Sequence, residues 1–314
     1  MVIGLNSIRV HFVVSYNSID YLFQAIKSYS NLCSANSELS FNVYALDKKS
    51  FKILSKHSNE LECDLVGEYR GSVGHALGLE RAIHNFDLNC TNVLSDTDIM
   101  VLKSNWDLDI KEIFETRSID ILGTQHEKVG GFISGNLILQ QYKKLPSTTW
   151  LAVRKGLLLS NIDLKPSKSH PLNIDTVELS HIYNLPIGYQ LFKDTGWQIP
   201  VYLREHSLNS LVLDLVKPTD EESRVLKGEY PYHDEFHLDG NVFLAHQRGS
   251  MSHIFRQDPL SRGFYDACDR YLEYPKWSLK PSRVRRLQSA PFRFIRFSRR
   301  QIRKFVLLIS KSKT

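Results

Sequence analysis

Asp96 and Asp98 stand one residue apart in the segment VLSDTDIMV, directly after the apolar pair Val93-Leu94. On an extended chain, side chains at i and i+2 point to one side, so both carboxylates can converge on a single point. Two carboxylates held that close repel each other, and both ionise comfortably only with a cation between or beside them. Oxygen ligands of this kind suit Mg²⁺ or Mn²⁺, ions that complete their shell with phosphate oxygens and water. The competing reading of the same four atoms is an acidic turn facing solvent.

The elements around this pair decide between the two readings. Residues 9–15 (RVHFVVS) are β-branched and aromatic and predict a buried strand. They lead through Tyr16-Asn17-Ser18 into apolar positions at Ile19, Leu22, Ile26 and Tyr29, steps of three and four that predict a helix, with Asn17 or Ser18 as its cap. FNVYAL (41–46) predicts a second strand ending at Asp47, and CDLV (63–66) a third. Glycines 71 and 74 precede a helical face of Ala76, Leu79, Ile83 and Phe86, and NVLS then runs into the acidic tip. Alternation of this kind predicts a mostly parallel sheet with helices on both faces, where ligands bind beyond the carboxyl ends of the strands. Tyr16, Asp47, Asp96 and Asp98 all fall at predicted strand ends, and so can line one crevice. Further on, residues 118–123, 130–140, 188–192 and 241–245 read as strands and 175–185 as a helix. The polar stretch 215–240, with Pro218, Gly228 and Pro231, reads as a loop or lid.

Bulk properties are those of a globular protein: 314 residues, 42% apolar and 24% charged. Cys33, Cys63, Cys90 and Cys268 are scattered without a C-x-x-C pair, which favours a reducing cytosol. The first residues lack a charged start followed by a long apolar core, so no signal peptide is expected, and no stretch reaches the ~20 apolar residues of a membrane span. The net charge of +6 hides an asymmetry, because residues 276–314 hold thirteen Lys and Arg and no acid. Removing those thirteen from the 40 basic residues leaves 27 against 34 acids, a body charge of −7.

The segments HFVVSYN, FNVYALD, RGSVGHALGLERAI, NVLSDTDIMVLKSNWD, SGNLIL and DTVELSHIYNLPIGYQL, taken in order, resemble glycosyltransferase family 2 and its relatives over roughly residues 8–200. The resemblance implies a GT-A (Rossmann-like) α/β/α sandwich with a mostly parallel central sheet. It implies a glycosyltransferase domain over residues 1–258, with a nucleotide-binding half to about 104 and an acceptor half after it. A basic, helical, membrane-associating tail would follow over 259–314.

By that resemblance Ser15, Tyr16 and Asp47 hold the base and ribose of a UDP-, GDP- or dTDP-linked sugar donor. Gly71 and Gly74 let backbone N–H groups approach it, and Asp96 meets ribose or metal. Asp96 and Asp98 hold Mn²⁺ or Mg²⁺ against the pyrophosphate, with His246 as a late third ligand and His253 the less well placed alternative. Arg248 could meet a phosphate oxygen. The base that takes the acceptor's proton would be Asp175, with Glu178 second and Asp194, near Trp197, a further candidate. Each has a plainer reading: Asp47 as a strand-ending turn residue, the glycines as a tight turn, and Asp175 with Glu178 as a helix capping box. The family's usual Glu-Asp pair is reduced here to one carboxylate at the expected position.

In the tail, Ile295, Ser298, Ile302, Phe305 and Ile309 share one helical face among many arginines, a pattern that suits an anionic membrane surface. Nucleic acid is the competing partner and is not expected. These readings add up to a metal-dependent, inverting glycosyltransferase peripheral on the cytoplasmic face of a membrane. Its acceptor would be a saccharide or lipid-linked saccharide, in cell-surface polysaccharide or glycolipid synthesis. The alternatives are a catalytically inactive binding protein of the same fold and a nucleic-acid-binding protein that uses the tail.

Overall fold

The computed structural model describes residues 6–66, 74–125, 146–157, 159, 162, 172–173, 190–191, 199–227, 233–247 and 259–273. The first strand, β1 (Asn6–Val14), is central, pairing in parallel with β2 (Ser37–Ala45) on one side and β4 (Thr91–Ser95) on the other. A short parallel strand, β3 (Cys63–Leu65), continues the sheet beyond β2. Four helices alternate with these strands and lie on both faces: α1 (Ile19–Leu32), α2 (Lys48–His57), α3 (His75–His84) and α4 (Trp106–Thr116).

Alternation along β1 explains the layering. Ile8, Val10, Phe12 and Val14 pack on one face against Ile19, Leu22, Ala25, Ile26 and Tyr29 of α1 and Trp106, Ile110 and Ile113 of α4. Val13 turns to the opposite face and joins Leu79, Ala82 and Ile83 of α3. Gly78 of α3 lies so close to the sheet that a Cβ there would stand 2.6 Å from both Leu46 Cδ2 and Val13 Cγ1. A glycine is what this helix needs to dock.

The sheet then changes character. Strand β7 (Pro146–Val153) is antiparallel to both β4 and β6 (Ile121–Gln125), and β10 (Ser210–Val216) is parallel to β6. From β10 an antiparallel ribbon runs through β11 (Asp234–Leu238) and β12 (Asn241–His246) to β5 (Ile99–Val101). The ten strands follow the order β3-β2-β1-β4-β7-β6-β10-β11-β12-β5, so one sheet spans both sides of the boundary placed near residue 104. Its parallel core and two helical layers are the expected α/β sandwich. Strands β8 (Leu172–Asn173) and β9 (Gln190–Leu191) form a separate pair, and helix α5 (Ile199–Glu205) adds Ile199 and Leu203 to the α3 face.

One expectation needs correction. The stretch 215–240 is not simply a loop, since it holds the end of β10 and all of β11. Helix α6 (Pro259–Tyr271) packs Phe264, Tyr265, Ala267 and Cys268 against Met100, Leu102, Val242 and Ala245. Strand 130–140, helix 175–185 and the tail from 276 lie outside the described residues. Among the described residues no helix is long and apolar enough to cross a membrane.

Candidate active site

The parallel register brings the carboxyl ends of β1, β2 and β4 to one edge, with Val14 beside Ala45 and Phe12 beside Ser95. Asp96 follows β4 directly and Asp98 precedes β5, so the acidic tip is a three-residue link between two strands that part company. Strand β5 pairs with β12, placing His246 opposite Ile99, and the Gln247 N–H donates to the Asp98 carbonyl at 3.1 Å. That antiparallel pairing is what carries a histidine about 150 residues away in sequence back to the acids.

One ligand atom each from Asp96, Asp98 and His246 lie within 4.8 Å of one another. His246 Nε2 stands 3.6 Å from Asp98 Oδ1. Burial alone would pull the imidazolium down, but Asp98, with Asp96 and Asp234 behind it, outweighs burial and holds the ring's pKa up at about 9. At neutral pH the imidazolium therefore supplies the positive charge that the acid pair demands. Two carboxylates and an imidazole converging in a partly buried corner match the donors that Mn²⁺ or Mg²⁺ accepts, the imidazole leaning towards the former.

The backbone of the tip is fixed by a hydrogen-bond chain through the core. Trp150 Nε1 donates to the Tyr29 hydroxyl at 2.7 Å, Tyr29 donates to Ser95 Oγ at 2.9 Å, and Ser95 Oγ donates to the Asp96 carbonyl at 3.0 Å. The Asp96 N–H meanwhile donates to the Thr149 carbonyl at 2.8 Å. Bonds in such a buried chain polarise one another. Trp106 Nε1 adds a bond to the Tyr29 carbonyl at 3.1 Å, tying α4 to the same anchor.

Beside this corner, Asp47 fastens two strand ends together. Its Oδ1 accepts the N–H groups of Lys49 (3.0 Å) and Ser50 (2.8 Å), capping α2, and its Oδ2 accepts the Tyr16 N–H at 2.8 Å. Asp47 is thus the N-cap of α2, and a carboxylate has acceptor capacity beyond three bonds. Ser15 closes the turn after β1, its N–H donating to Ser18 Oγ at 2.9 Å. The half-buried Tyr16 ring carries Lys49 Nζ 5.5 Å from its centroid. Gly74 is the N-cap of α3 with an ordinary extended backbone, and a Cβ there would meet nothing within 4 Å among the described residues. Gly71, Asp175, Glu178, Asp194, Trp197, Arg248 and His253 lie outside the described residues.

Sequence reasoning missed three residues here. His75, the first residue of α3, has Nε2 3.6 Å from Asp96 Oδ1, with 48% of its side chain exposed. Asp234 and Lys217 form a 2.9 Å ion pair, Asp234 being 1% exposed and opposite His246 in the ladder. A helical-start histidine gives no pattern signal. Asp234 opens a strand, DEFHL, whose buried side chains include Asp234, Glu235 and His237, so its polarity reads as a loop.

No family model matches the chain, and no curated protein does. Among solved structures it is similar to S. aureus TarS 1-349 in complex with UDP-GlcNAc, at 13% identity, over 64% of this chain and 47% of that one, with a TM-score of 0.33. The mannosyltransferase PcManGT from Pyrobaculum calidifontis, in complex with GDP-Man and Mn²⁺, is similar at 11% identity over 46% of this chain and 44% of that one, with a TM-score of 0.34. The 4-diphosphocytidyl-2C-methyl-D-erythritol synthase from Anaerococcus prevotii matches at 12% identity over 67% of this chain and 87% of that one, with a TM-score of 0.38. The chain spans 28% of one TarS structure and 47% of TarS 1-349, less than half of each.

Proposed function

We propose that this chain is a metal-dependent glycosyltransferase that moves a sugar from a nucleotide-sugar donor to a saccharide or lipid-linked acceptor. One observation carries the reading: Asp96, Asp98 and His246 converge at the carboxyl edge of a parallel sheet, next to the tied strand ends of Tyr16 and Asp47. Asp96, Asp98 and His246 would hold the cation, and a cation there would act as a Lewis acid that offsets charge on the departing nucleoside diphosphate. Tyr16 offers a ring face to the donor's base, and Asp47 offers its remaining lone pairs to ribose hydroxyls or base N–H groups. The wall formed by Trp150, Tyr29 and Ser95 keeps the acidic tip from moving as charge builds up before it.

Deprotonation of the acceptor, with inversion at the anomeric carbon, falls to Asp175, with Glu178 and Asp194 as the alternatives. The tail at 276–314 would bring the enzyme to an anionic, cytoplasmic membrane surface, where lipid-linked acceptors of polysaccharide or glycolipid synthesis are found. A panel of UDP-, GDP- and dTDP-sugars tested for thermal stabilisation with and without Mn²⁺ checks the reading, because a ligand of the native state raises Tm. One nucleotide class should stabilise the protein in a metal-dependent way and be turned over to its nucleoside diphosphate, and an Asp98→Ala variant should do neither. Stabilisation without turnover for every donor and acceptor would instead identify a binding protein that has lost the chemistry.

A further inference from the structure

Asp234 is a buried carboxylate that the proposed chemistry leaves without a task. It opens β11, is 1% exposed, and accepts a hydrogen bond from Lys217 Nζ at 2.9 Å. Lys217 follows β10 directly and its own N–H donates to Asp220 Oδ2 at 2.7 Å, so the lysine's backbone is fixed too. In the β11–β12 ladder the residue paired with Asp234 is His246. Residues directly opposite in an antiparallel pair project from the same face with Cβ atoms about 4.5–5.5 Å apart. His246 meanwhile presents Nε2 to Asp98. The imidazole therefore has a carboxylate on its Nε2 side and a second, buried carboxylate paired with its own residue across the ladder.

Keeping a carboxylate in such a place costs free energy unless it is paired. Burial pushes the Asp234 carboxyl up, and Lys217 followed by His246 pull against it. A histidine that ligates a cation characteristically donates its other ring N–H to a carboxylate, which selects the tautomer and fixes the ring plane.

Resting on the cation reading of the site, we infer that Asp234 is a positioning residue for His246: it accepts the Nδ1–H so that Nε2 faces Asp96 and Asp98, and the Lys217 ammonium holds the Asp234 carboxyl in place. The strand pairing that delivers His246 to the acids delivers its orienting group as well. The Lys217–Asp234 pair, far from the acidic tip in sequence, becomes part of the cation site.

The test is Mn²⁺ binding to the full chain, followed by electron paramagnetic resonance, for the wild type, Asp234→Asn, His246→Ala and the double variant. The Co²⁺ ligand-field spectrum serves as a second readout. Asp234→Asn should weaken Mn²⁺ binding about 10- to 100-fold, alter the Co²⁺ spectrum, and have no further effect once His246 is alanine. Wild-type affinity in Asp234→Asn overturns the inference, as does a loss that persists undiminished in the His246→Ala background. A wild-type chain that binds no Mn²⁺ overturns the cation reading itself, a different result from a defect confined to the variant. Should Asp234→Asn fail to fold, ¹⁵N spectra of His246 in the Zn²⁺-loaded wild type decide the matter. A protonated Nδ1 with metal on Nε2 supports the inference, and metal on Nδ1 refutes it.

Discussion

Two histidines in this chain sit in opposite electrostatic surroundings. His246 is held up at about 9 because Asp98, with Asp96 and Asp234, outweighs the effect of burial. A cation can reach Nε2 only after that proton leaves, so Mn²⁺ affinity should rise as pH climbs towards 9, with about one proton released per ion bound. Calorimetry in buffers of differing ionisation enthalpy reads that number directly. His11 is fully buried in the middle of β1, bonded to the Tyr44 hydroxyl at 3.1 Å and Asn92 Oδ1 at 3.2 Å, and burial pulls it down to about 4. Here the unfolded chain takes up a proton that the folded chain refuses. Stability is therefore complete above pH 6.5 and falls as pH drops from there towards 4, by about 3 kcal/mol for this one group. Denaturant unfolding across that range should show the fall, and a His11→Gln variant should show less of it.

The elements divide by how much of their pattern is hydrophobic. Strands β1, β2 and β4 and helices α1 and α3 were legible because their apolar positions alternate or step as their cores require, Ile19 to Tyr29 being the clearest run. Asp96 and Asp47 stood out as candidates for a related reason, since each directly follows such a strand, and Asp98 stood out through its spacing from Asp96. Strand β11 was not legible. Glu235 in it is fully buried and accepts from Ser223 Oγ (2.6 Å) and from the N–H groups of Arg224 (3.0 Å), Val225 (2.9 Å) and Leu226 (2.7 Å), with His237 Nε2 at 3.1 Å. Burial pushes that carboxyl up, and the donors overcome it to hold it down at about 2. Only the folded chain supplies those partners, so a strand of charged residues looks like a loop until it is in place. Asp234 and Lys217 were hidden the same way. For α3 the decisive feature is contact distance: Gly78→Ala puts a methyl 2.6 Å from Val13 and Leu46. Overpacking of this kind costs about 1–3 kcal/mol, to be read from chemical unfolding, and it displaces the helix that carries His75.

At the scale of the whole molecule, an acidic body is joined to a strongly basic end. On the proposed membrane reading, each of the thirteen basic residues of 276–314 would contribute on the order of 1 kcal/mol near an anionic surface. Deleting 276–314 should abolish sedimentation with phosphatidylserine vesicles and leave Mn²⁺ binding unchanged, because Asp96, Asp98 and His246 all lie outside that segment. Retention of the full chain on DNA rather than on vesicles would assign the tail to nucleic acid instead. The sheet's long detour, from the acidic tip out through β7, β6, β10, β11 and β12 and back to β5, has one chemical result: it sets His246 against Asp98. The most direct test of that result is anomalous diffraction at the manganese edge from crystals grown with Mn²⁺ and a nucleoside diphosphate. A single manganese peak bonded to Asp96, Asp98 and His246, with phosphate oxygens completing its shell, is the expected outcome. A nucleotide bound in the crevice with no manganese at those three side chains would contradict it.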